Sequence, residues 1–277
     1  MPLRIKFLVI CLIIAASGIG IALIGGIFIW SGWTKVVAAI ILAIEVFVIS
    51  GLLEIYVPQI NILTRSFKGI TSKSNLVAIT FDDGPSEKTT EKILRILKEF
   101  NVKATFFVLG KNVQSNPNLI FAIHRDGHEL GNHGFSHKKM HFLSYKEIEK
   151  EIKTTENLVK DITGIKTSLL RTPHGFLSPL VGKASKILGY KIIAWSLGVW
   201  DTDAGVTPEQ ISQRTLSKIK GGHILLLHDG HGSKPDITQE ATVKALPVIL
   251  KELLVRGLRP VTVGEMLEGG SNETKKL

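Results

Sequence analysis

From Asn75 onward, short apolar runs rich in β-branched residues alternate with longer segments of helical periodicity. These two patterns indicate strands and helices respectively. The predicted strands are residues 76–81, 104–109, 128–131, 168–171, 191–196, 224–227 and 260–263. The predicted helices are residues 87–100, 118–125, 145–162, 179–188, 208–220 and 238–256. Strands that alternate with helices favour a parallel sheet, so the sequence predicts an α/β fold, a distorted (β/α) barrel of about seven parallel strands.

The N-terminal region has a different pattern. Residues 7–30 contain no charged residue, and this stretch exceeds the roughly 20 residues that a helix needs to cross a bilayer. Residues 36–57 form a second apolar stretch, interrupted only by Glu45 and Glu54. A signal peptide has a shorter apolar core of about 7–15 residues. The pattern therefore predicts two transmembrane helices, with Glu45 facing the partner helix or another protein rather than lipid.

These patterns predict four segments. They are two transmembrane helices within residues 1–57, a linker at 58–74, an α/β domain at 75–268 and a polar tail at 269–277. Cys11 is the only cysteine, so no disulfide forms within the chain and cysteine usage says nothing about the redox compartment.

The net charge of +10 is spread along the chain without a dense basic run. A nucleic-acid-binding protein is expected to show a basic patch with interleaved aromatic residues, so nucleic acid is not an expected partner. Affinity for anionic lipid or an anionic polymer suits the charge better. Nothing in the sequence implies an obligate protein partner.

Polar residues follow the predicted strands, at the end of a parallel barrel where active sites lie. Asp82 and Asp83 end the first strand, just before Gly84. Neighbouring side chains on a strand point to opposite faces, but a turn at Gly84 lets both carboxylates reach one pocket. A metal held by one carboxylate would leave the other free as a base. The simpler alternative is a polar turn that only caps the strand.

His133 and His137 follow the third strand and lie four residues apart. On a helical turn both could bind one metal ion, although the pair alone is a weak signal and lacks the glutamate of the zinc-protease helix motif. With one carboxylate from the first strand, the pair makes a three-ligand site that keeps a position open for water or substrate. We interpret His124, His128 and His141 as surface or packing histidines.

Arg171 follows the fourth strand and His228 ends the sixth. An arginine there could hold a carboxylate in its ionised form and orient it, or it could be a surface residue before a turn. A histidine at the end of an all-apolar strand can have its pKa set by burial and a neighbouring acid, or can be a core histidine with its hydrogen bonds satisfied.

Taken together, four motifs resemble those of the polysaccharide deacetylase family, carbohydrate esterase family 4, over about residues 75–266. They are Thr-Phe-Asp-Asp-Gly-Pro at 80–85, His-x-x-x-His at 133–137, Arg-x-Pro-x-Gly at 171–175 and Leu-x-His at 226–228. The resemblance implies a metal-dependent N-deacetylase with one divalent metal ion. Two nitrogen ligands and one oxygen ligand suit zinc first, with cobalt, nickel or manganese as alternatives.

The resemblance also implies a role for each matched residue. Asp82 is implied to be the general base, and Arg171 to position it. Asp83, His133 and His137 are implied to be the metal ligands.

At the other side of the expected site, the resemblance implies that Leu226 lines the acyl pocket and that His228 is the general acid. Pro173 and His174 are expected to contact the substrate. His174 stands where many family members carry tyrosine, which would change those contacts.

One motif departs from the family pattern, which usually has an Asp after a first Trp and then Asp-Trp. Here Gly198 stands where the first Asp is common, and Trp200 precedes Asp201 instead of following it. Asp201 is expected to tune His228 or to brace Arg171, and Trp200 to line the sugar groove.

Three functions are consistent with the sequence. The first is removal of an N-acyl group, N-acetyl above all, from an amino sugar of a cell-envelope polysaccharide such as peptidoglycan. The second is deacetylation or deformylation of a lipid-linked sugar at the membrane. The third is an inactive, membrane-anchored glycan-binding module, which loss of the metal triad or of the base would favour, and neither is lost.

The expected partners are an N-acylated amino-sugar glycan or glycolipid and membrane lipid, and the expected location is the cell membrane, as a multi-pass protein. Two spans would place the N-terminus and the domain on the same side. Basic residues concentrate outside the loop between the spans, which favours a cytoplasmic domain. The resemblance to enzymes that trim exported polysaccharide favours the extracytoplasmic face, which is the side we predict.

Overall fold

The computed structural model of the protein describes residues 18, 32–56, 64–71, 73–232 and 238–274. Its strands are β1 (Leu76–Asp82), β2 (Thr105–Val108), β3 (Glu129–Asn132), β4 (Leu169–Leu170), β5 (Lys191–Ile192), β6 (Leu197–Gly198), β7 (Ile224–His228) and β8 (Arg259–Val261). Within these residues the helices are α1 (Gly32–Tyr56), α2 (Thr90–Glu99), α3 (Gly110–Ser115), α4 (Pro117–Arg125), α5 (Tyr145–Thr163), α6 (Pro179–Leu188), α7 (Pro208–Leu216), α8 (Glu240–Val255) and α9 (Val263–Thr274). Two short 3-10 helices cover Met140–Phe142 and Pro173–Gly175.

The strands form one curled parallel sheet, which confirms the α/β class and the parallel arrangement predicted from the sequence. The strand order is β5-β4-β3-β2-β1-β7-β6, and β8 also pairs with β1. Every pairing is parallel. The central strand β1 pairs with β7 over residues 78–82, with β2 over 80–82 and with β8 over 76–78. This central position holds the carboxyl end of β1 between the ends of β2 and β7.

Seven of the eight strands correspond to the predicted ones, and all but one agree to within two residues at either end. The exception is the predicted strand at 191–196, which ends at Ile192 and is followed by the separate strand β6. Phe67 forms a parallel bridge with Ile193 on the edge that faces away from β4: its N–H donates to Ile192 O and its carbonyl accepts from Ala194 N. Phe67 belongs to the predicted linker, so part of that segment packs on the sheet.

The six predicted helices of the domain are present, and two have the start signals that their sequences indicate. At the start of α5, Ser144 and Glu147 form a reciprocal capping box, and Thr207 and Gln210 do the same at the start of α7. The short helix α3 and the last helix α9 were not predicted. The polar tail predicted from residue 269 instead continues α9 as far as Thr274.

Side chains of β1 alternate between two buried faces, as expected of a strand covered on both sides. Val77, Ile79 and Phe81 pack in the larger core cluster together with residues of α2 and α8. Ala78 faces a smaller cluster on the other face of the sheet, inside the curl. Asp82 shares the face of Ala78, so its carboxylate points into the curl at the carboxyl end of the strand.

The second predicted membrane span, residues 36–57, lies almost entirely within α1, and the first, residues 7–30, falls almost entirely outside the described residues. Over the part of the chain that the structure describes, no helix is long and apolar enough to cross a membrane. The prediction of a multi-pass membrane protein is therefore wrong. The charged residues of α1 are Lys35, Glu45 and Glu54, of which Glu45 lies near the middle of the helix. A charged side chain in the middle of a bilayer costs about 3 kcal/mol or more, so this charge opposes a membrane span.

Candidate active site

Asp82 is held by a buried arginine that follows β4, a strand separated from β1 by β2 and β3. Nη1 of Arg171 donates to Asp82 Oδ1 at 2.7 Å and to Thr80 Oγ1 at 2.8 Å. Arg171 follows β4 and is fully buried, and its remaining nitrogens donate to the carbonyls of Ile193 and Ala194. A buried arginine with every hydrogen bond directed to a fixed acceptor fixes the orientation of Asp82. The structure thus excludes the alternative of a surface arginine.

Asp83 turns towards the same pocket because its backbone leaves the strand conformation. Its φ is 74°, in the left-handed region, so the alternation of side chains breaks at Asp83 itself, one residue before Gly84. Its Oδ2 accepts a hydrogen bond from the backbone N–H of Gly232 at 2.8 Å. Its Oδ1 is buried and accepts no hydrogen bond. A buried carboxylate oxygen that accepts no hydrogen bond needs some other partner, such as a positively charged group or ion.

That oxygen faces two imidazole nitrogens. Asp83 Oδ1 lies 3.3 Å from His133 Nε2 and 3.0 Å from His137 Nε2. Asp82 Oδ2 lies further away, 3.9 Å from His133 Nε2. Each of Asp83, His133 and His137 offers one ligand atom, and the three atoms lie within 4.8 Å of one another. The sequence predicted this grouping, although its members come from the ends of two strands, Asp83 after β1 and both histidines after β3.

The tautomer of His133 supports a metal site. Its Nδ1 lies 2.7 Å from the carbonyl oxygen of Arg171, and since a carbonyl only accepts, Nδ1–H is the donor. In the neutral imidazole, the form that binds a metal ion, the lone pair of Nε2 is then directed towards Asp83. Burial opposes a charged imidazole, but Asp82 and Asp83 outweigh it and raise the pKa of His133. The site therefore attracts positive charge, and its donor set fits a divalent metal ion.

Asp83 itself is suited to ligation. Burial alone would raise the pKa of this carboxyl, but His133 and His137 hold it well below its usual range. The carboxylate is therefore ionised at neutral pH, as a metal ligand must be.

The loop that carries the two histidines is fixed by residues that the sequence analysis missed. Asn132 Oδ1 accepts from Gly134 N at 2.8 Å. Glu151, on α5, accepts from Phe135 N and Ser136 N through Oε2, both at 2.8 Å, and from the Ser136 hydroxyl through Oε1 at 2.6 Å. Three donors from one loop thus converge on a single buried carboxylate.

A sequence signal for Glu151 existed. It lies between Ile148 and Ile152 on the buried face of α5, together with Thr155 and Val159. A carboxylate on the apolar stripe of a helix is expected to have hydrogen-bond partners inside the fold.

His228 and Asp201 form a second hydrogen-bonded pair at the end of β7. His228 Nδ1 lies 2.8 Å from Asp201 Oδ1, and the backbone N–H of His228 donates to Asp201 Oδ2 at 2.8 Å. Thr242 also donates to Oδ2, at 2.9 Å. Burial disfavours the imidazolium, but Asp201 outweighs it and raises the pKa of His228 to about 10. Asp201 was expected to contact either His228 or Arg171, and the structure shows the contact with His228.

These groups border one cavity of about 230 Å³. Among the residues expected to contact substrate, Leu226, Trp200 and His174 line it. Trp200 is 60% exposed. Pro173 does not line the cavity: it is buried, and its ring packs near Gly134.

The cavity also has lining residues that the sequence did not single out. They are Trp195, Val199, Thr202, His231 and Gly232. Gly232 donates its backbone N–H to Asp83, and any side chain at this position would collide with the ring of His137, so the close approach requires glycine.

Comparison with known proteins agrees with this geometry. The sequence model of the family described as Polysaccharide deacetylase matches residues 69–193. A peptidoglycan-N-acetylglucosamine deacetylase of Bacillus cereus is 36% identical over 206 residues, which cover 72% of this chain and 91% of that protein. The peptidoglycan-N-acetylmuramic acid deacetylase PdaC of Bacillus subtilis is 31% identical over 72% of this chain and 40% of its own length.

A solved structure is also similar. The crystal structure of the Bc1960 peptidoglycan N-acetylglucosamine deacetylase superposes with a TM-score of 0.68 at 33% identity, covering 72% of this chain and 91% of that one. The chain therefore belongs to the polysaccharide deacetylase family, carbohydrate esterase family 4, whose deacetylases use a divalent metal, and it is a carbohydrate N-deacetylase.

Proposed function

We propose that the protein removes N-acetyl groups from amino sugars of a cell-envelope polysaccharide, with peptidoglycan as the first candidate. The observation that carries this proposal is that the two adjacent carboxylates at the end of β1 have different partners. Asp83 faces the two histidines, whereas the adjacent Asp82 is held by Arg171. The names of the similar deacetylases of Bacillus support the substrate class.

Asp83, His133 and His137 would hold the metal ion, and zinc suits two imidazoles and one carboxylate best. When bound, the metal supplies Lewis-acid activation of the acyl carbonyl and of water. Asp82, oriented by Arg171, takes the proton of the attacking water as its oxygen bonds to the acyl carbon.

His228 acts as the general acid in this proposal. The Asp201 carboxylate keeps its imidazole protonated at neutral pH, since the pKa of His228 is about 10. His228 gives its proton to the sugar nitrogen as the bond between carbon and nitrogen breaks, because an amide nitrogen leaves poorly without one. The products are acetate and the free amino sugar.

Substrate contacts follow from the cavity lining. Leu226 is almost completely buried and supplies an apolar wall for the acyl methyl group. Trp200 borders the cavity with an exposed indole that can cover the face of a sugar ring. His174 lies beside His137, with ring centroids 4.5 Å apart, and faces the same space.

The experiment is acetate release from N-acetylated glycan oligomers by the purified protein after zinc loading. We expect acetate and free amine in equal amounts, with about one zinc per chain. Asp82→Asn serves as the matched inactive control. Full zinc occupancy without acetate from any N-acylated sugar would reject the enzymatic proposal and favour the glycan-binding alternative.

A further inference from the structure

The proposed metal ligands come from loops that follow two different strands. Asp83 follows β1 and both histidines follow β3, and β2 lies between these two strands in the sheet. The distances between the ligand atoms therefore depend on how the two loops are held relative to each other. The hydrogen bonds to Glu151 fasten the histidine loop to α5, but they do not reach Asp83.

The first turn of α3, which follows β2, is bound to the histidine loop through its backbone. Gly110 N donates to Gly134 O at 3.0 Å. The next residue, Lys111, donates its backbone N–H to Phe135 O, also at 3.0 Å. A side chain at position 110 would collide with Phe135, so this close approach requires glycine.

Two side chains of the same turn reach the other loops. Nδ2 of Asn112 donates to the backbone carbonyl of Asp83 at 2.7 Å. Nζ of Lys111 donates to the carbonyl of Gly232, in the loop after β7, at 2.7 Å. Both acceptors are backbone groups, so these bonds hold the main chain of each loop. The turn thus joins three loops that meet at the cavity.

Gly232 lies between two of the proposed ligands. Its N–H donates to Asp83 Oδ2 at 2.8 Å, and its α-carbon lies so close to the ring of His137 that no side chain fits there. A shift of Gly232 would therefore move its contacts with both ligands at once. The hydrogen bond from Lys111 holds the carbonyl of this residue in place.

We propose that Lys111 and Asn112 are positioning residues of the metal centre, which hold the loops after β1, β3 and β7 together and so set the spacing of the three ligand atoms. This inference rests on the proposed function, through the metal site that it assigns to Asp83 and the two histidines. Loss of either side chain should weaken metal binding and alter the coordination geometry, although all three ligands remain.

The test measures the zinc affinity of Lys111→Met by chelator competition and the visible spectrum of the same variant loaded with cobalt. We expect zinc to bind about 10- to 100-fold more weakly, as is usual when a group that orients metal ligands is removed. The cobalt absorption bands should shift from those of the wild-type protein, because they depend on the arrangement of the ligands. Asn112→Ala should change both readouts in the same direction.

Two further variants serve as controls. Lys111→Arg should keep most of the zinc affinity, because a guanidinium group can also donate to the carbonyl of Gly232. Lys92→Met removes a lysine hydrogen bond of the same length, 2.7 Å, but at the surface, where Lys92 pairs with Glu240. It should leave the zinc affinity and the cobalt spectrum unchanged.

Unchanged zinc affinity and cobalt spectrum in Lys111→Met and Asn112→Ala would overturn the inference, and a lower melting temperature would then show that the two side chains only stabilise the fold. These readouts do not require turnover. If the wild-type protein binds zinc but releases no acetate, the proposed function fails, and the zinc affinities still decide the roles of Lys111 and Asn112. A wild-type protein that binds neither zinc nor cobalt would reject the metal site and this inference with it.

Discussion

His228 Nδ1 lies 2.8 Å from Asp201 Oδ1, and the backbone N–H of His228 donates to the other oxygen of the same carboxylate. Asp201 thus fixes both the ring and the main chain of His228 at the end of β7. Because the carboxylate is almost completely buried, its charge acts on the imidazole with little screening by water. This pairing determines which way the activity should respond to pH.

Asp201→Asn should shift the alkaline limb of the kcat/KM profile to lower pH by more than one unit. His228 acts in its protonated form, so activity is lost as pH rises through its pKa, which Asp201 raises to about 10. Asparagine can still accept from Nδ1–H but carries no charge, so the pKa falls. The measurement is the pH dependence of kcat/KM, which reports groups of the free enzyme.

The matched control is Asp203→Asn, which removes an exposed carboxylate two residues away. Its profile should superpose on that of the wild-type protein. An alkaline limb that stays in place in Asp201→Asn would show that His228 is not the group that donates the proton.

Asp82→Asn and Asp83→Asn should separate turnover from metal binding. Asp83 Oδ1 faces both imidazoles, so its substitution should abolish stoichiometric zinc binding. Asp82 is bound to Arg171, so its substitution should keep zinc and reduce kcat by 10²-fold or more, the usual contribution of a general base. Metal analysis and acetate release on the same samples check both. Zinc loss in Asp82→Asn would contradict this division of roles.

Glu151→Ala should weaken zinc binding about 10- to 100-fold, the usual effect of losing a residue that orients metal ligands. The loop between His133 and His137 would lose three hydrogen bonds at once. Glu151→Gln should keep most of the affinity, because its amide oxygen can still accept from the two backbone N–H groups. Zinc affinity measured by chelator competition provides the test.

Glu149→Ala is the control for this substitution, since Glu149 lies on the same helix and pairs with Lys153 at the surface. It should leave the zinc affinity unchanged. If Glu151→Ala lowers the melting temperature but binds zinc like the wild-type protein, the carboxylate only stabilises the fold.

How far the sequence predicts this site depends on the distance between interacting residues. Asp82 and Asp83 could be placed because strand and turn are local features, and parallel strands bring His133 and His137 to the same edge. The sequence could suggest that Arg171 orients a carboxylate, but it could not predict that Arg171 is buried. Burial depends on hydrogen bonds to the carbonyls of Ile193 and Ala194, which lie beyond the next strand. A carbonyl acceptor has no sequence signature.

The same reason explains the errors in the fold. The predicted strand 191–196 has suitable residues throughout, but only residues 191–192 pair with β4 as a strand, and Phe67, more than 120 positions earlier, bridges Ile193 on the other edge. The separate strand β6 pairs with β7. A local pattern cannot show which distant segment pairs with each part of an apolar run.

Asp229 is a buried carboxylate that the proposed reaction does not use. Its Oδ2 accepts from the hydroxyl of Thr90 at 2.6 Å, whereas its Oδ1 is buried without a hydrogen-bond partner. Burial, and after it the charges of Asp83 and Asp82, raises the pKa of Asp229 to about 7. An unfolded aspartate has a pKa of about 3.9, so folding takes up a proton between these two values.

Asp229→Asn should therefore change how the stability of the metal-free protein depends on pH. In the wild-type protein the raised pKa of Asp229 does not affect the free energy of unfolding below about pH 4. Between about pH 4 and pH 7 it lowers that free energy progressively, by up to about 4 kcal/mol. Asparagine does not titrate, so the stability difference between variant and wild type should grow in favour of the variant over this window and then level off. Urea unfolding from pH 4 to pH 8 measures it, with the exposed Asp161→Asn as control. A difference that stays constant with pH would mean that Asp229 is ionised throughout.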